Sequence, residues 1–132
     1  MLLLRHIEVR PSPIHGLGIF TTEPIKKGTS VSGWKAGFDF VLTSTEWLEL
    51  PHLLRDFLYT FCWRGENGRW YGSSDNARFT NHSKTPNLKW DERSRTSIAA
   101  RDIAAGEELT EDYQEFDDAF SEYADEVIQW AG

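Results

Sequence analysis

Residues 78–87 read Arg78-Phe79-Thr80-Asn81-His82-Ser83-Lys84-Thr85-Pro86-Asn87, a dense run of polar side chains that follows an apolar position. Such side chains hydrogen-bond nearby backbone groups, so the run predicts a rigid loop. A rigid polar loop can present amide groups to a nucleoside or amino-acid ligand. The alternative, on these residues alone, is a structural loop with His82 satisfied in the core.

Two shorter patterns flank this loop in the sequence. Gly16-Leu17-Gly18 would allow close approach of the backbone to a ligand, or it is an ordinary turn. It is not a dinucleotide-binding fingerprint, because it has no third glycine and no following helix. Residues 106–113 read GEELTEDY and predict a strand that ends at Tyr113. The Tyr113 hydroxyl could take part in a reaction, or its ring is half-buried packing.

Most of the remaining chain predicts short strands joined by tight turns, and therefore a mainly β fold with short helices (α+β). The predicted strands are residues 2–10, 19–22, 29–34, 69–72, 88–90, 96–100 and 108–113. The phrases FTTEPIKKGTSV at 20–31 and AARDIAAGEELT at 99–110 resemble each other, since both predict a strand, a turn ending in Gly and a second strand.

Helices are predicted in two places. Residues 43–63 predict a helical insert, with Ser44 or Thr45 as the N-cap and Pro51 dividing it in two. Its apolar side chains recur at helical spacing and are expected in the core; they are Leu50, Leu53, Leu54, Phe57, Leu58 and Phe61. Residues 117–132 predict an acidic, aromatic helical segment that packs on or caps the site.

Composition favours a single soluble domain in a reducing compartment. The chain has 132 residues and one cysteine, Cys62, which excludes an internal disulfide and a cysteine-rich zinc site and indicates the cytoplasm or nucleus. The apolar opening Met1–Leu4 is too short for a membrane span. Residues 102–132 carry 11 of the 21 acidic residues and no Lys or Arg. This acidic end disfavours nucleic acid and can attract a basic peptide; a solvated face is the alternative.

Taken together and in this order, GxG, RFxNHSxxPN and GEELTxDY resemble the SET-domain family over roughly residues 5–116. The chain is most similar to the short, free-standing members of bacteria and viruses. The resemblance implies a β-clip-like fold of small twisted sheets with a knot-like C-terminal crossing, and residues 1–116 would form this domain. It also implies transfer of a methyl group from S-adenosylmethionine to a lysine of a protein substrate, possibly a histone-like or other basic protein.

By matching position, the family resemblance assigns Tyr113 as the catalytic residue. Donor-binding residues would be Gly16, Leu17, Gly18, Arg78, Phe79, Asn81 and His82. Phe116 would be the first contact from the C-terminal segment, and Glu111 would lie beside Tyr113 in the lysine channel.

Two features depart from the family pattern. Lys84 stands where many chromatin members have a zinc-binding Cys, so no metal is expected and the C-terminal segment is the candidate cover for the channel. Glu111 replaces the usual Phe or Tyr; as an acid in the channel it could attract the ammonium or serve as a base, and otherwise it faces solvent. The alternative functions are a non-catalytic module that binds the donor or a peptide, and an antifreeze-like β-clip domain.

Overall fold

The computed structural model describes residues 1–122, which form small sheets and a few short helices. The strands are β1 (Ile7–Pro11), β2 (Leu17–Thr21), β3 (Ser30–Gly33), β4 (Phe40–Leu42), β5 (Cys62–Arg64), β6 (Trp70–Gly72), β7 (Asn81–His82), β8 (Leu88–Asp91), β9 (Thr96–Ala99) and β10 (Thr110–Glu111). The helices are α1 (Ser44–Glu49) and α2 (His52–Tyr59), with 3-10 turns at Asn76–Phe79 and Tyr113–Glu115. This architecture confirms the expected mainly β class.

Three sheets are antiparallel and one strand pair is parallel. The antiparallel sheets have the orders β1-β2, β3-β9-β8 and β4-β6-β5, and β7 pairs with β10 in parallel. The main core lies between the first two sheets and consists of Ile19, Ile25, Val31, Leu88, Ala99, Ile103 and Leu109. A smaller core of Trp47, Cys62, Trp70 and Ala119 lies under the third sheet.

Burial raises the pKa of the Cys62 thiol to about 12, which keeps it an inert apolar group.

The two similar phrases in the sequence pair with each other. Ile25 and Ile103 exchange both backbone hydrogen bonds at 2.8 Å, and both side chains are buried in the main core. Three residues after each isoleucine the chain turns at a glycine with positive φ, Gly28 at 86° and Gly106 at 90°. Since non-glycine residues rarely adopt this conformation, the glycine that ends the turn of each phrase is required by the backbone geometry.

The helical insert differs from its prediction at two points. The N-cap of α1 is Thr43, whose hydroxyl accepts from the Glu46 N–H while the Glu46 carboxylate accepts from the Thr43 N–H. This capping box needs an acid three residues after the cap, so Thr43 fits and Ser44 or Thr45 does not. Pro51 separates the two helices as predicted.

The expected core stripe of the insert is wrong. Leu53 is 84% exposed, Phe57 60% and Leu54 41%, and no residue of α2 is buried. Only Leu50 and Leu58 reach the smaller core. Helical spacing shows which residues share a face, but it does not show whether another element covers that face. The strands β4 and β5, which flank β6, were not predicted. The helical insert was predicted to reach residue 63, but Cys62 and Trp63 belong to β5, because a short apolar run fits a helix or a strand equally well.

The crossing expected from the family resemblance is made by β7 and β10. Thr110 lies opposite Asn81 and Glu111 opposite His82 in the parallel register. Asn87 extends this pairing with its side chain, because its Nδ2 donates to the Glu108 carbonyl at 2.7 Å and its Oδ1 accepts the Thr110 N–H at 2.9 Å. An asparagine side chain thus acts as an extra peptide unit in a buried ladder. Strand β10 is consequently shorter than predicted, and Tyr113 lies in the turn that follows it.

Replacing Asn87 should therefore destabilise the protein strongly. In Asn87→Ala a buried carbonyl and a buried N–H lose their partners, which costs about 2–5 kcal/mol of unfolding free energy. Urea denaturation followed by circular dichroism measures this loss. Asn76→Ala, at an exposed asparagine of a 3-10 turn, is the matched control and should change the free energy by less than about 0.5 kcal/mol. Equal effects of the two changes would contradict the role of Asn87.

Candidate active site

A cavity of about 770 Å³ lies beside the crossing and is lined by residues that are far apart in the sequence. The predicted site residues that line it are Gly16, Leu17, Arg78, Phe79, Asn81, Glu111, Tyr113 and Phe116. Gly18 and His82, both predicted as donor contacts, do not line it and lie behind its wall. The fold thus brings eight of the ten predicted residues to one cavity and gives the other two a supporting position.

Asn81 joins the crossing to the glycine-containing loop. Its Nδ2 donates to the carbonyls of His15 and Leu17, each at 3.1 Å, and to Glu108 Oε1 at 2.9 Å. Two amide protons therefore serve three protein acceptors. The Nδ2 group acts on any ligand mainly by holding the loop at 15–17 in place.

Glu108 is the second residue that holds the glycine-containing loop, and nothing in the sequence indicated this role. Its Oε2 accepts from the Ser12 hydroxyl at 2.9 Å, while Oε1 accepts from Asn81. A Cβ on Gly18 would lie only 2.0 Å from Oε1, so any larger residue here requires the Glu108 carboxylate to move. The second glycine of the GxG pattern therefore makes room for Glu108, whereas Gly16, with φ of 48°, lines the cavity.

His82 holds the turn that carries Tyr113. Its side chain is 2% exposed, and Nδ1 accepts the backbone N–H of Tyr113 at 3.1 Å. Burial lowers the pKa of His82, although Asp112 at 3.7 Å opposes this effect and Lys84 reinforces it. The neutral ring is the form that can accept this hydrogen bond, so burial and hydrogen bonding agree.

Tyr113 lies at the inner wall of the cavity. Its hydroxyl donates to the Thr80 carbonyl at 2.5 Å, and its ring contacts His82 and Phe116 at centroid distances of 5.2 and 5.8 Å. Burial and the neighbouring carboxylates of Glu111 and Asp117 raise the pKa of Tyr113. The hydroxyl therefore stays protonated at neutral pH and can offer its oxygen to a ligand as an acceptor.

Glu111 lies in the same cavity as Tyr113, although the two do not share one strand. Its Oε1 accepts a 2.6 Å hydrogen bond from Ser97 of β9, a residue that is 8% exposed. Burial is the main cause that raises the pKa of Glu111. Glu111 is half-buried and lines the cavity, which favours the channel position over a fully solvent-facing one.

Aromatic rings form much of the rest of the cavity wall. Trp63 contacts Phe116 edge-on at 5.8 Å and Trp34 edge-on at 6.3 Å. Phe61 contacts Phe79 edge-on at 5.7 Å, and the Arg78 guanidinium lies 4.5 Å from the centroid of the Phe79 ring. Such a wall suits a flat ring or a cationic group. The sequence showed these aromatics but not which of them face one another.

The described part of the C-terminal segment packs beside the site. Phe120 is 5% exposed and contacts the rings of His82 at 5.1 Å and Tyr113 at 6.4 Å. The Asp117 carboxylate accepts the Arg64 N–H at 3.1 Å, which ties the segment to β5. Tyr123, Val127 and Trp130 of the predicted helix lie outside the described residues.

Residues 1–122 contain neither a metal-binding cluster nor a membrane-spanning helix. No group of three or more His, Cys, Asp or Glu side chains there is arranged to bind a metal ion. No helix in the same range is long and apolar enough to cross a membrane.

Comparisons with known proteins give one family match and similar folds. The family model of the SET domain matches residues 16–114. A Plasmodium falciparum protein described as a candidate histone methyltransferase has a similar structure, with a TM-score of 0.56, 21% identity and coverage of 84% of this chain and 95% of that one. A chain of an active polycomb repressive complex 2 gives a TM-score of 0.58 and 21% identity, covering 81% of this chain and 15% of that one. No curated protein sequence matches.

The close approach of Gly18 to Glu108 predicts that adding one methyl group at position 18 destabilises the protein. Gly18→Ala should lower the free energy of unfolding by about 1–3 kcal/mol, because the Cβ displaces a carboxylate from its two donors. Gly33→Ala is the control, since its Cβ would meet the nearest atom at an ordinary 3.4 Å. Thermal denaturation of both variants checks this, and equal stabilities would show that Glu108 moves aside without cost.

The buried neutral His82 predicts a dependence of stability on pH. Because its folded pKa is lowered, its stabilisation is present above about pH 6.5, the unfolded value, and is lost as the pH falls through the folded pKa. His82→Asn keeps an acceptor for the Tyr113 N–H but does not titrate. The advantage of the wild type in melting temperature should therefore shrink between about pH 7.5 and about pH 5. A constant difference would contradict a neutral His82.

Proposed function

The chain belongs to the SET-domain family, and we propose that it is a protein-lysine methyltransferase that uses S-adenosylmethionine. The observation that carries this proposal is the meeting of three sequence patterns at one cavity. The glycine-containing loop, the segment after Arg78 and the turn at Tyr113 all line it, although they are far apart in the sequence. A catalytic site needs this convergence, whereas an antifreeze-like β-clip domain does not.

The residues present fit the proposed donor. A cavity of this size falls in the range of about 300–1,000 Å³ that holds ligands with many heavy atoms. Phe61 and Phe79 offer apolar ring surfaces for an adenine, and the Arg78 guanidinium offers a cation for an amino-acid carboxylate. Gly16 and Leu17 would bring the loop backbone against the donor. When bound, the donor supplies a sulfonium methyl group, whose C–S bond breaks toward sulfur as the bond to the amine nitrogen forms.

The chain's own residues would prepare the lysine. A lysine side chain in water has a pKa near ~10.4, so almost none of it is neutral at pH 7. Lowering this pKa by about 3 units costs roughly 4 kcal/mol, and a dry aromatic channel favours the neutral amine. The Tyr113 hydroxyl, held by the Thr80 carbonyl, can accept a hydrogen bond from the amine and orient its lone pair.

Charge favours a basic protein or peptide as substrate. The cavity is lined by the carboxylates of Glu92, Glu111, Glu115 and Asp117. Arg78 is the only Lys or Arg lining it within the described part of the chain. Opposite charges steer encounter, so this excess of acid favours lysines within basic sequences.

Donor binding is the first test of the function. A ligand that binds only the folded protein stabilises it by about 2.7 kcal/mol at 100 times its dissociation constant. S-adenosylmethionine should therefore raise the melting temperature of the isolated chain, and adenosine alone should raise it less. Absence of any shift at millimolar donor, together with no calorimetric signal, would overturn the proposal.

The role of Tyr113 is tested by removing one hydroxyl. Tyr113→Phe should keep donor affinity and lower the rate of methyl transfer to a lysine peptide by about 10²-fold or more, because orientation of the amine is lost. Tyr71→Phe is the matched control, because the Tyr71 hydroxyl accepts a hydrogen bond from the exposed Asn67 side chain; it should change the rate less than about threefold. Donor binding without transfer by the wild type would instead indicate a non-catalytic binding module.

A further inference from the structure

We propose that Glu111, positioned by Ser97, is the base that takes a proton from the incoming lysine ammonium. This inference rests on the proposed function and adds to it a second acting residue. Glu111 and Ser97 both line the cavity, together with Tyr113. The pair joins β10 of the crossing to β9 of the neighbouring sheet, so its position is set by two sheets and not by a loop.

The hydrogen bonding of Glu111 leaves one oxygen available. Ser97 Oγ donates to Oε1 at 2.6 Å, which helps to orient the carboxylate. Among residues 1–122 no donor reaches Oε2 of Glu111. By contrast, both oxygens of Glu108, three residues earlier, accept hydrogen bonds from side chains. Glu111 therefore combines an oriented carboxylate with an acceptor oxygen that can take a proton from a group in the cavity.

The reaction needs such an acceptor. A lysine enters as an ammonium, and its nitrogen has no lone pair until one proton leaves. In the proposed step the proton passes from Nζ to Oε2, and the electrons of the N–H bond become the lone pair of the amine. An ion pair becomes a neutral acid and a neutral amine, which a buried site favours. The Tyr113 hydroxyl cannot replace this base, because it stays protonated.

The charges around Glu111 are compatible with this role. Burial raises its pKa most, and the Glu115 carboxylate from the following turn raises it further. The Ser97 hydrogen bond and the amino-terminal ammonium lower it. Tyr113 faces it as a neutral group. A base works best when its pKa lies near the working pH, so the net upward direction from an ordinary glutamate favours catalysis near neutrality.

The test compares Glu111→Gln with the wild type over a range of pH. Glutamine keeps the size and the acceptor for Ser97 but cannot take the proton. We expect the rate of transfer to a lysine peptide to fall at least tenfold near pH ~7.5 and to recover with increasing pH, as free lysine deprotonates near ~10.4. Glu66→Gln, at an exposed turn outside the cavity, is the charge-matched control and should keep the wild-type profile.

Ser97→Ala tests the positioning of the base. Since the Ser97 hydrogen bond lowers the pKa of Glu111, its loss should move the acidic limb of the wild-type pH–rate profile to higher pH. Loss of rate at all pH values without this displacement would mean that Ser97 has only a structural role.

A measurement without donor or substrate tests whether Glu111 titrates inside the fold. Because its folded pKa is raised, wild-type stability relative to Glu111→Gln should decline as the pH rises above about 4.3, the unfolded value, through the folded pKa. Melting temperatures of the two proteins between about pH 4.5 and about pH 8 measure this. A constant difference would overturn the inference.

The outcomes separate this inference from the proposed function. If the wild type transfers methyl groups and Glu111→Gln keeps the wild-type pH profile, the base is overturned and the function stands. If the wild type binds no donor and transfers nothing, the proposed function fails, and the base fails with it. A selective loss in Glu111→Gln that high pH repairs supports both.

Discussion

The pairing of β7 with β10 is the contact on which the site depends, because polar segments can cross inside a protein only if their backbone groups find partners. Two residues on each strand cannot supply enough backbone partners. The side chains of Asn87 and His82 supply further partners. Asn87 hydrogen-bonds the backbone of Glu108 and Thr110, and His82 accepts the backbone N–H of Tyr113. The polar sequence of the loop is therefore explained first by the demands of the crossing.

The glycine-containing loop depends on the same crossing. Asn81 points away from its ladder toward the carbonyls of His15 and Leu17, and Glu108 anchors both Asn81 and Ser12. The small residue at Gly18 leaves space for that carboxylate. One buried network thus places the loop, the Arg78 segment and the Tyr113 turn around a shared cavity. A change at any of these polar residues would alter cavity shape as well as local stability.

The sequence predicted much of the fold because its strongest signals are local. Strands β8 and β9, the break at Pro51 and the glycines that end the turns of the two similar phrases follow from turn chemistry and residue type. The stripe on α2 failed because burial depends on which element covers a face, and spacing carries no such information. Strand β5 was missed because its apolar residues continue the run assigned to the helical insert, and β4 because its three residues carry no clear pattern of their own. Among the predicted site residues, Gly18 and His82 do not line the cavity. A sequence pattern indicates which residues belong to a site, but it does not show whether a residue lines the cavity or supports its wall.

Glu108 and Glu111 show why residue type alone does not define a role. Both belong to one eight-residue phrase, yet their neighbours give them different chemistry. Glu108 receives a donor on each oxygen and so holds the loop in place. Glu111 receives one donor, and burial raises its pKa above that of an ordinary glutamate, so its carboxylate can accept a proton from a cation that enters the cavity. When two carboxyl groups of one site have different surroundings, their pKa values differ, and one can have a structural role while the other takes part in the chemistry. Ser97, a small hydroxyl on a neighbouring sheet, is what keeps the second carboxylate directed into the cavity.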